Sequence, residues 1–465
     1  MQPPPSLFPE RAERQRIEDW LTGELIDTVE RTARNRVAPA LSAEEVRSAL
    51  RRFDFIEPVP VRPLLSWTLD ALERGIVHLT HPRYFGLFNP APVFPAECAD
   101  RLVAALNPQL ASSGTSPAAV EIEAHVIRAV AARTGLAPGA GGHFTSGGSE
   151  ANCTSLLCAL TRQQPGFAER GSRAFSGDPV IYTSQECHIA WLKIAHQVGI
   201  GRSALHLVPT DARGRLLPES LRGLIAQDRA LGCVPVMIVS TAGTTGAGAI
   251  DPLQECADIA RAEGIWHHVD AAWGGALIAS DRLRPLLHGI ESADSVTVDA
   301  HKWFATTMGC GMILIRDPQI LPRVFQIQTH FMPSNVVGHD PYVTTAQWSR
   351  RFMGLRLFLA LASAGWAGYA THVERAVELT QSIAAQLEAR SWRTLNEPRL
   401  AVLNTVPPAP SRDVRELVRL VVASGSAWVA PTRFGGLDAV RVCVTHGRSD
   451  ESDAAALVAA LEAAR

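Results

Sequence analysis

The sequence has no pair of cysteines at metal-ligand spacing. Its eight cysteines, Cys98, Cys153, Cys158, Cys187, Cys233, Cys256, Cys310 and Cys443, are scattered, with no C-x-x-C among them. That argues against a zinc site or a disulfide frame and for reduced thiols in a cytoplasm. An excess of charge is also lacking. The net charge is -2, so nothing favours nucleic acid or an anionic membrane as a partner. No apolar run reaches the roughly 18 residues that span a bilayer. Met1-Gln-Pro-Pro-Pro5 lacks a basic-then-apolar leader pattern. There is no internal repeat and no linker long enough to separate independent domains. What the chain does have is length and apolar content. Its 465 residues, 46% of them hydrophobic, suit two or three substructures with a large buried interior.

Strand-like and helix-like text alternates between about residues 140 and 315. This argues for an open, mainly parallel sheet wrapped by helices. The stretch with most chemistry in it is Ser295-Val-Thr-Val-Asp-Ala-His-Lys-Trp-Phe304. An apolar β-rich run there would carry Lys302 to the C-terminal edge of a buried strand, where open α/β sheets bind ligands. A partly desolvated amine at such an edge is a good nucleophile for a carbonyl carbon. Taken alone, His-Lys after a strand is a weak signal, and a solvated loop lysine is the commoner reading. About thirty residues upstream, Ile265-Trp-His-His-Val-Asp-Ala-Ala-Trp-Gly-Gly-Ala276 ends another strand in Asp270. An acid at that place can hold the protonated ring nitrogen of pyridoxal 5′-phosphate (PLP), which makes the ring an electron sink. Further upstream, Thr145-Ser-Gly-Gly-Ser-Glu-Ala-Asn152 precedes helix-forming text. Glycines let the backbone turn tightly, and a helix N-terminus suits a phosphate. Gly147, Gly148 and Ser149 are the residues placed on that phosphate. No G-K-[ST] follows, so this is not a P-loop.

In this order the motifs resemble the group II PLP-dependent amino-acid decarboxylases, relatives of the glutamate, cysteine-sulfinate and aromatic-L-amino-acid decarboxylases. The resemblance runs from about Arg83 to the C-terminus. It implies the PLP fold-type I architecture: an N-terminal helical arm over residues 1–90, a large cofactor domain over 91–345 and a small C-terminal α/β domain over 346–465. It also implies a C2 homodimer with the site at the subunit interface. The arm, with Ile17, Trp20, Leu21, Leu25 and Val29 at helical spacing, is read as a dimerisation element.

Residue by residue, the resemblance makes Lys302 the Schiff-base lysine and His188 the residue stacked on the ring. Thr244, Ala272 and His301 join the cofactor contacts, although Thr244 reads almost as well as a threonine satisfying its own turn. His81-Pro-Arg-Tyr-Phe-Gly-Leu-Phe88 resembles a pocket segment, with Tyr84 and Phe85 as candidate substrate contacts and loop packing as the competing reading. Residues 326–348 look like a mobile loop. In the family such a loop closes over the neighbouring subunit's site, and Tyr342 is its candidate acid. Phe331 in that role would favour oxidative chemistry. Arg350 or Arg351 reads as a phosphate or carboxylate partner, or as a salt bridge between domains. No chemistry is assigned to Glu121 or Glu123. Three positions depart from the family pattern: Asp299 stands for asparagine, Ile189 for serine and His446 for asparagine.

The implied reaction is decarboxylation of an L-amino acid to the amine and CO2, through an external aldimine and a quinonoid. Two alternatives stay open. One is a decarboxylating aldehyde synthase or lyase on the same scaffold, and the other is a PLP-fold binding protein without turnover. His81-Pro-Arg83 and Ala272-Trp-Gly-Gly275 look like the acidic-substrate members, whereas Tyr84, Phe85 and Phe88 suit an aromatic side chain.

Overall fold

The computed structural model describes residues 7–327 and 340–465. Three helices open it: α1 (Arg11–Thr32), α2 (Ala43–Leu50) and α3 (Val61–Gly75). A capping box between Ser42 and Glu45 starts α2 by satisfying two helix-end N–H groups. α1 lies against α3, yet Ile26 and Val29 on it remain exposed.

The centre is a seven-stranded sheet. Its strands are β1 (Gly141–Thr145), β2 (Pro179–Ser184), β3 (Leu205–Val208), β4 (Val234–Thr241), β5 (Trp266–Asp270), β6 (Ser295–Asp299) and β7 (Gly311–Ile315). Their order is β1-β7-β6-β5-β4-β2-β3. Only β7 runs against the rest. Strands buried on both faces need apolar residues at nearly every position. Val234-Pro-Val-Met-Ile-Val-Ser-Thr241 is such a run, and β5 and β6 are buried throughout.

Register then positions the chemistry. β5 and β6 pair in parallel with Asp270 opposite Thr297, so Asp270 and the turn after Asp299 leave the sheet at the same edge. Gly311 in β7 is opposite both Asp299 and Thr145. A Cβ there would stand 2.7 Å from the Asp299 Oδ1 and 2.7 Å from the Gly147 Cα. Glycine therefore lets the β1 turn close onto the β6 turn. After α4 (Phe94–Leu106) and α5 (Pro117–Thr134), helix α6 (Gly148–Gln163) begins at that contact. It starts five residues earlier than the helix-forming text at Cys153 alone would place it.

The C-terminal part carries a second sheet, wholly antiparallel, of β8 (Arg393–Thr394), β9 (Val402–Val406), β10 (Ala430–Phe434) and β11 (Leu437–Cys443) in the order β10-β11-β9-β8. A helical span, Leu355–Glu388, leads to it and is broken at Gly365 (φ 63°, ψ 175°). One hydrophobic cluster runs from Val269 and Trp273 beside β5 to Val402, Leu417 and Leu457, so the two parts share a core.

The helical span starts at Leu355. Glu123, 4% exposed, holds residues 350–354 out of the helix. Its Oε1 accepts the N–H groups of Met353 and Gly354 at 3.1 and 2.9 Å, and its Oε2 lies 2.7 Å from Arg350 Nη2. Glu123, to which the sequence assigned no chemistry, is thus buried and paired, whereas a charge on a helix is ordinarily solvated. Arg351 and Arg356 both reach Asp100 at 2.8 Å. Removing one partner of a buried ion pair leaves the other charge unpaired, which costs about 3–5 kcal/mol. Arg350→Ala and Glu123→Ala should each lose that much in denaturant titrations. A loss below about 1 kcal/mol would show that the pair is not holding this junction.

Candidate active site

Between the β5 and β6 ends and the start of α6 lies a cavity of about 320 Å³. Gly147, Gly148, Ser149, His188, Asp270, Ala272, His301 and Lys302 all line it. Eight residues chosen from distant stretches of sequence thus meet in one place. Phe88, Asn152, Thr245, Trp273 and Asp299 complete much of the wall.

Each is fixed by local structure. Gly147 caps α6 with an extended backbone, and a Cβ on it would come within 3.2 Å of the His301 ring. A Cβ on Gly148 would stand 2.9 Å from Asp299 Oδ2 and 3.4 Å from the Ala272 Cβ. The turn is therefore made of glycine because β6 and β5 crowd it, and the free N–H groups of α6 open beside it. Lys302 Nζ sits 3.0 Å from Asp299 Oδ2. The His301 ring nitrogen Nδ1 faces the backbone of Cys310, and its main-chain N–H donates to the Cys310 carbonyl at 3.0 Å. His188 follows β2 at the cavity mouth, and its Nδ1 accepts the Ala190 N–H at 3.2 Å. Partial desolvation lowers its pKa, against the opposing pull of Asp270.

Asp270 is buried and held from two sides. Its Oδ1 accepts the Ala272 N–H at 3.2 Å and its Oδ2 accepts Asn152 Nδ2–H at 2.8 Å. The Asn152 Oδ1 in turn accepts Thr297 Oγ1–H at 2.6 Å and lies 3.0 Å from His268 Nε2. An amide oxygen only accepts, so His268 carries its proton on Nε2. Its Nδ1 then accepts from Ser295 Oγ at 2.8 Å, while Ser295 accepts Trp266 Nε1–H at 2.7 Å. Burial pushes the His268 pKa down to about 4. The ring is thus neutral at neutral pH, and the chain of donors points one way, toward Asp270.

Four expected contacts lie outside the cavity lining. Thr244 is fully buried and its hydroxyl accepts the Ala249 N–H at 3.0 Å, so it satisfies its own turn. Its neighbour Thr245 lines the cavity instead. Tyr84 (2% exposed) packs on Trp428 with ring centres 5.3 Å apart, and its hydroxyl accepts the Leu87 N–H at 3.0 Å. Phe85 is wholly buried. Neither lines the cavity, because the chain turns so that Phe88 reaches it. Phe88 stacks on Trp273 at 4.2 Å, and Trp273 stacks on Trp303 at 4.3 Å. Tyr342 is anchored through its N–H to the Ala111 carbonyl at 3.1 Å and packs on Trp348 at 4.8 Å, away from this cavity. Phe331 lies outside the described residues.

Two residues carry roles that the motifs did not single out. Asn152 closes the quoted Thr145–Asn152 string, and its spacing of four from Gly148 puts both on one face of α6. Arg441, from β11, is 3% exposed and has its guanidinium carbon 4.7 Å from the Phe88 ring centre. Its Nη1–H donates to the Gly86 carbonyl at 2.8 Å, while Nε and Nη2 have no hydrogen-bond partner among the described residues. No sequence signal marked it, since it lies in an ordinary alternating strand.

An open glycine cradle at a helix N-terminus, a buried carboxylate fixed from behind and a lysine on one cavity fit PLP. The fold and site define a fold-type I PLP protein. Residues 56–400 match the sequence model of the pyridoxal-dependent decarboxylase conserved domain, and the chain belongs to that family. It is similar to the acidic amino acid decarboxylase GADL1 of Mus musculus, with 32% identity over 339 residues, 70% of this chain and 61% of that protein. It is also similar to the L-2,4-diaminobutyrate decarboxylase of Rhizobium meliloti (strain 1021), with 33% identity over 331 residues, 70% of this chain and 65% of that one. The crystal structure of mouse CSAD in apo form superposes with a TM-score of 0.91 at 26% identity, over 98% of this chain and 99% of that one. The chain thus spans less than two thirds of the length of the two curated relatives.

The Asn152 bond to Asp270 joins an amide to a carboxylate, a contact worth about 1.5–3 kcal/mol. Asn152→Leu should therefore weaken PLP binding by one to two orders of magnitude in titrations of the apoprotein. An unchanged dissociation constant would show that Asp270 does not need this donor.

Proposed function

We propose that this protein is a PLP-dependent decarboxylase that releases the α-carboxylate of an acidic L-amino acid as CO2 and leaves the amine. The observation that carries the reading is the meeting of Lys302, Asp270 and the Gly147–Gly148 turn on one cavity in a chain of this family. Bound there, PLP supplies an electron sink for the pair released when the bond from Cα to the carboxylate breaks. Lys302 supplies the amine that holds the cofactor. Asp270, backed by Asn152 and the Ala272 N–H, keeps a proton on the ring nitrogen. Gly147, Gly148 and Ser149 turn the N–H groups of α6 toward the phosphate, and His301 braces that turn. His188, on the cavity wall, would cover the bound ring, exclude water from it and help fix the orientation of the substrate. Lys302 afterwards displaces the product amine.

The acidic side chain is assigned from Arg441. A buried guanidinium with two unpaired nitrogen atoms lacks its counter-charge, and a substrate carboxylate would provide it. A shift of the Phe88 ring opens the way from the cavity. The similarity to GADL1, named for acidic amino acids, supports the same choice. We place Tyr342 of the neighbouring copy as the proton donor to Cα, which makes a C2 homodimer the working assembly. The exposed apolar residues of α1 support a partner there. All eight cysteines are free, which suits a reducing, cytoplasmic compartment.

The test is product analysis with added PLP across glutamate, aspartate, cysteine sulfinate, 2,4-diaminobutyrate, tryptophan and dopa. Amine and CO2 in equal amounts from an acidic member are expected. Aldehyde with ammonia would move the protein to oxidative chemistry, and a preference for diaminobutyrate would overturn the role of Arg441. Arg441→Met should lower kcat/KM for the acidic substrate about a hundredfold while the visible absorbance of bound cofactor persists. Lys302→Ala should lose both that absorbance and turnover.

A further inference from the structure

Of the two cavity carboxylates that the reaction above does not use, Glu150 and Asp299, only Asp299 is buried. It is 3% exposed, and its Oδ1 has no hydrogen-bond partner among the described residues. Its Oδ2 lies 3.0 Å from Lys302 Nζ and 3.9 Å from His301 Nε2. The same oxygen would stand 2.9 Å from a Cβ on Gly148. This places a carboxylate against the turn that, on the reading above, receives the phosphate. Other charged or titratable groups near it are Asp270 at the end of β5, His188 after β2, Cys310 before β7 and Glu150 in α6. The only lysines in the chain are Lys193 and Lys302. Lys193 lies on the helix Ala190–Gln197 and does not line this cavity.

We propose that Asp299 is a proton acceptor built into the cofactor site: it pairs with the Lys302 ammonium before loading and becomes a neutral acid when a phosphate-bearing aldehyde binds. Two like-charged groups this close do not both stay ionised. The proton has a direct source. The Lys302 ammonium gives it to Asp299 Oδ2 across 3.0 Å. The freed lone pair attacks the aldehyde carbon. The aldehyde oxygen then leaves as water with the two remaining amine hydrogens, and a C=N bond replaces C=O. No oxidant or reductant is required. The neutral Asp299 no longer repels the phosphate and can donate a hydrogen bond to it. Pyridoxal, which lacks the phosphate, leaves Asp299 ionised, and the lysine proton passes to solvent.

The inference rests on the proposed cofactor reading, and proton counting separates the two. Calorimetric titrations at pH 8, in buffers of different ionisation enthalpy, report the protons taken up on binding. At that pH a phosphate monoester is already a dianion. The wild-type protein should take up one more proton with PLP than with pyridoxal. Asp299→Asn should show no such difference, because whatever proton the C=N nitrogen keeps is common to both ligands. By linkage, the ratio of the wild-type to the variant dissociation constant for PLP should rise about tenfold per pH unit between pH 7 and 9. Equal proton counts for the two ligands in the wild type would overturn the proposal, and this arm does not depend on the variant folding. Failure of the wild type to bind PLP saturably would instead overturn the cofactor reading itself.

Discussion

Asp270 is a carboxylate at the end of a strand whose other residues are all buried, and the site depends on keeping it there. An acid in such a place is stabilised only by donors aimed at it. One comes from the backbone at Ala272, and the other from Asn152 on α6. Asn152 is itself held by Thr297 of β6 and His268 of β5. Two parallel strands and one helix are thus locked together by the requirement of a single oxygen atom. The neutrality of His268 follows from its burial and makes the network directional. A charged ring would offer Ser295 a second donor instead of an acceptor.

The same economy explains how much of this architecture is legible in the sequence. β4 is readable because a strand buried on both faces leaves a nearly continuous apolar record, and β5 and β6 because each leaves a short run of strand-forming residues that ends in an aspartate. Lys302, Asp270 and the Gly147–Gly148 turn are readable because each ends such a record. Thr244 and Thr245 are adjacent and chemically identical. Only the turn geometry, with the Ala249 N–H on Thr244, decides which one faces the cavity. Tyr84 and Phe85 fail for a related reason. Their aromatic character signals burial as readily as binding, and Trp428 from the C-terminal part claims Tyr84. Glu123 and Arg350 are invisible as a pair because more than two hundred residues separate them, and nothing in either local pattern announces burial.

Arg441 shows what is lost when a strand is read in isolation. Its neighbours Val440 and Val442 are fully buried on the core, as an alternating strand predicts, yet Arg441 is buried as well. A two-sided strand in a small sheet ordinarily gives such a residue to solvent. Here the segment from Tyr84 to Phe88 covers that face, with the Phe85 N–H donating to the Trp428 carbonyl and the Phe85 carbonyl accepting the Cys443 N–H. The covering segment brings Phe88 to the cavity and shuts the guanidinium beneath it in one step. An aromatic ring against a guanidinium is an acceptable resting contact. It does not replace the two unpaired nitrogens' need for an acceptor.

This arrangement places opposite electrostatic demands on the two sides of Phe88, with Arg441 against its ring outside the cavity lining and Asp299 on the cavity wall. On the Arg441 side a buried cation lacks an anion. On the Gly147–Gly148 side an anion, Asp299, already stands where the proposed cofactor brings another. An asparagine at 299 would remove the second conflict and would also leave the Lys302 ammonium without its 3.0 Å partner. The carboxylate therefore suits a protein whose lysine must be held in place before the cofactor arrives, and it requires that the same carboxylate give up its charge once the phosphate is there. In this geometry the proton shed by Lys302 meets both requirements, because donor and acceptor are already in contact.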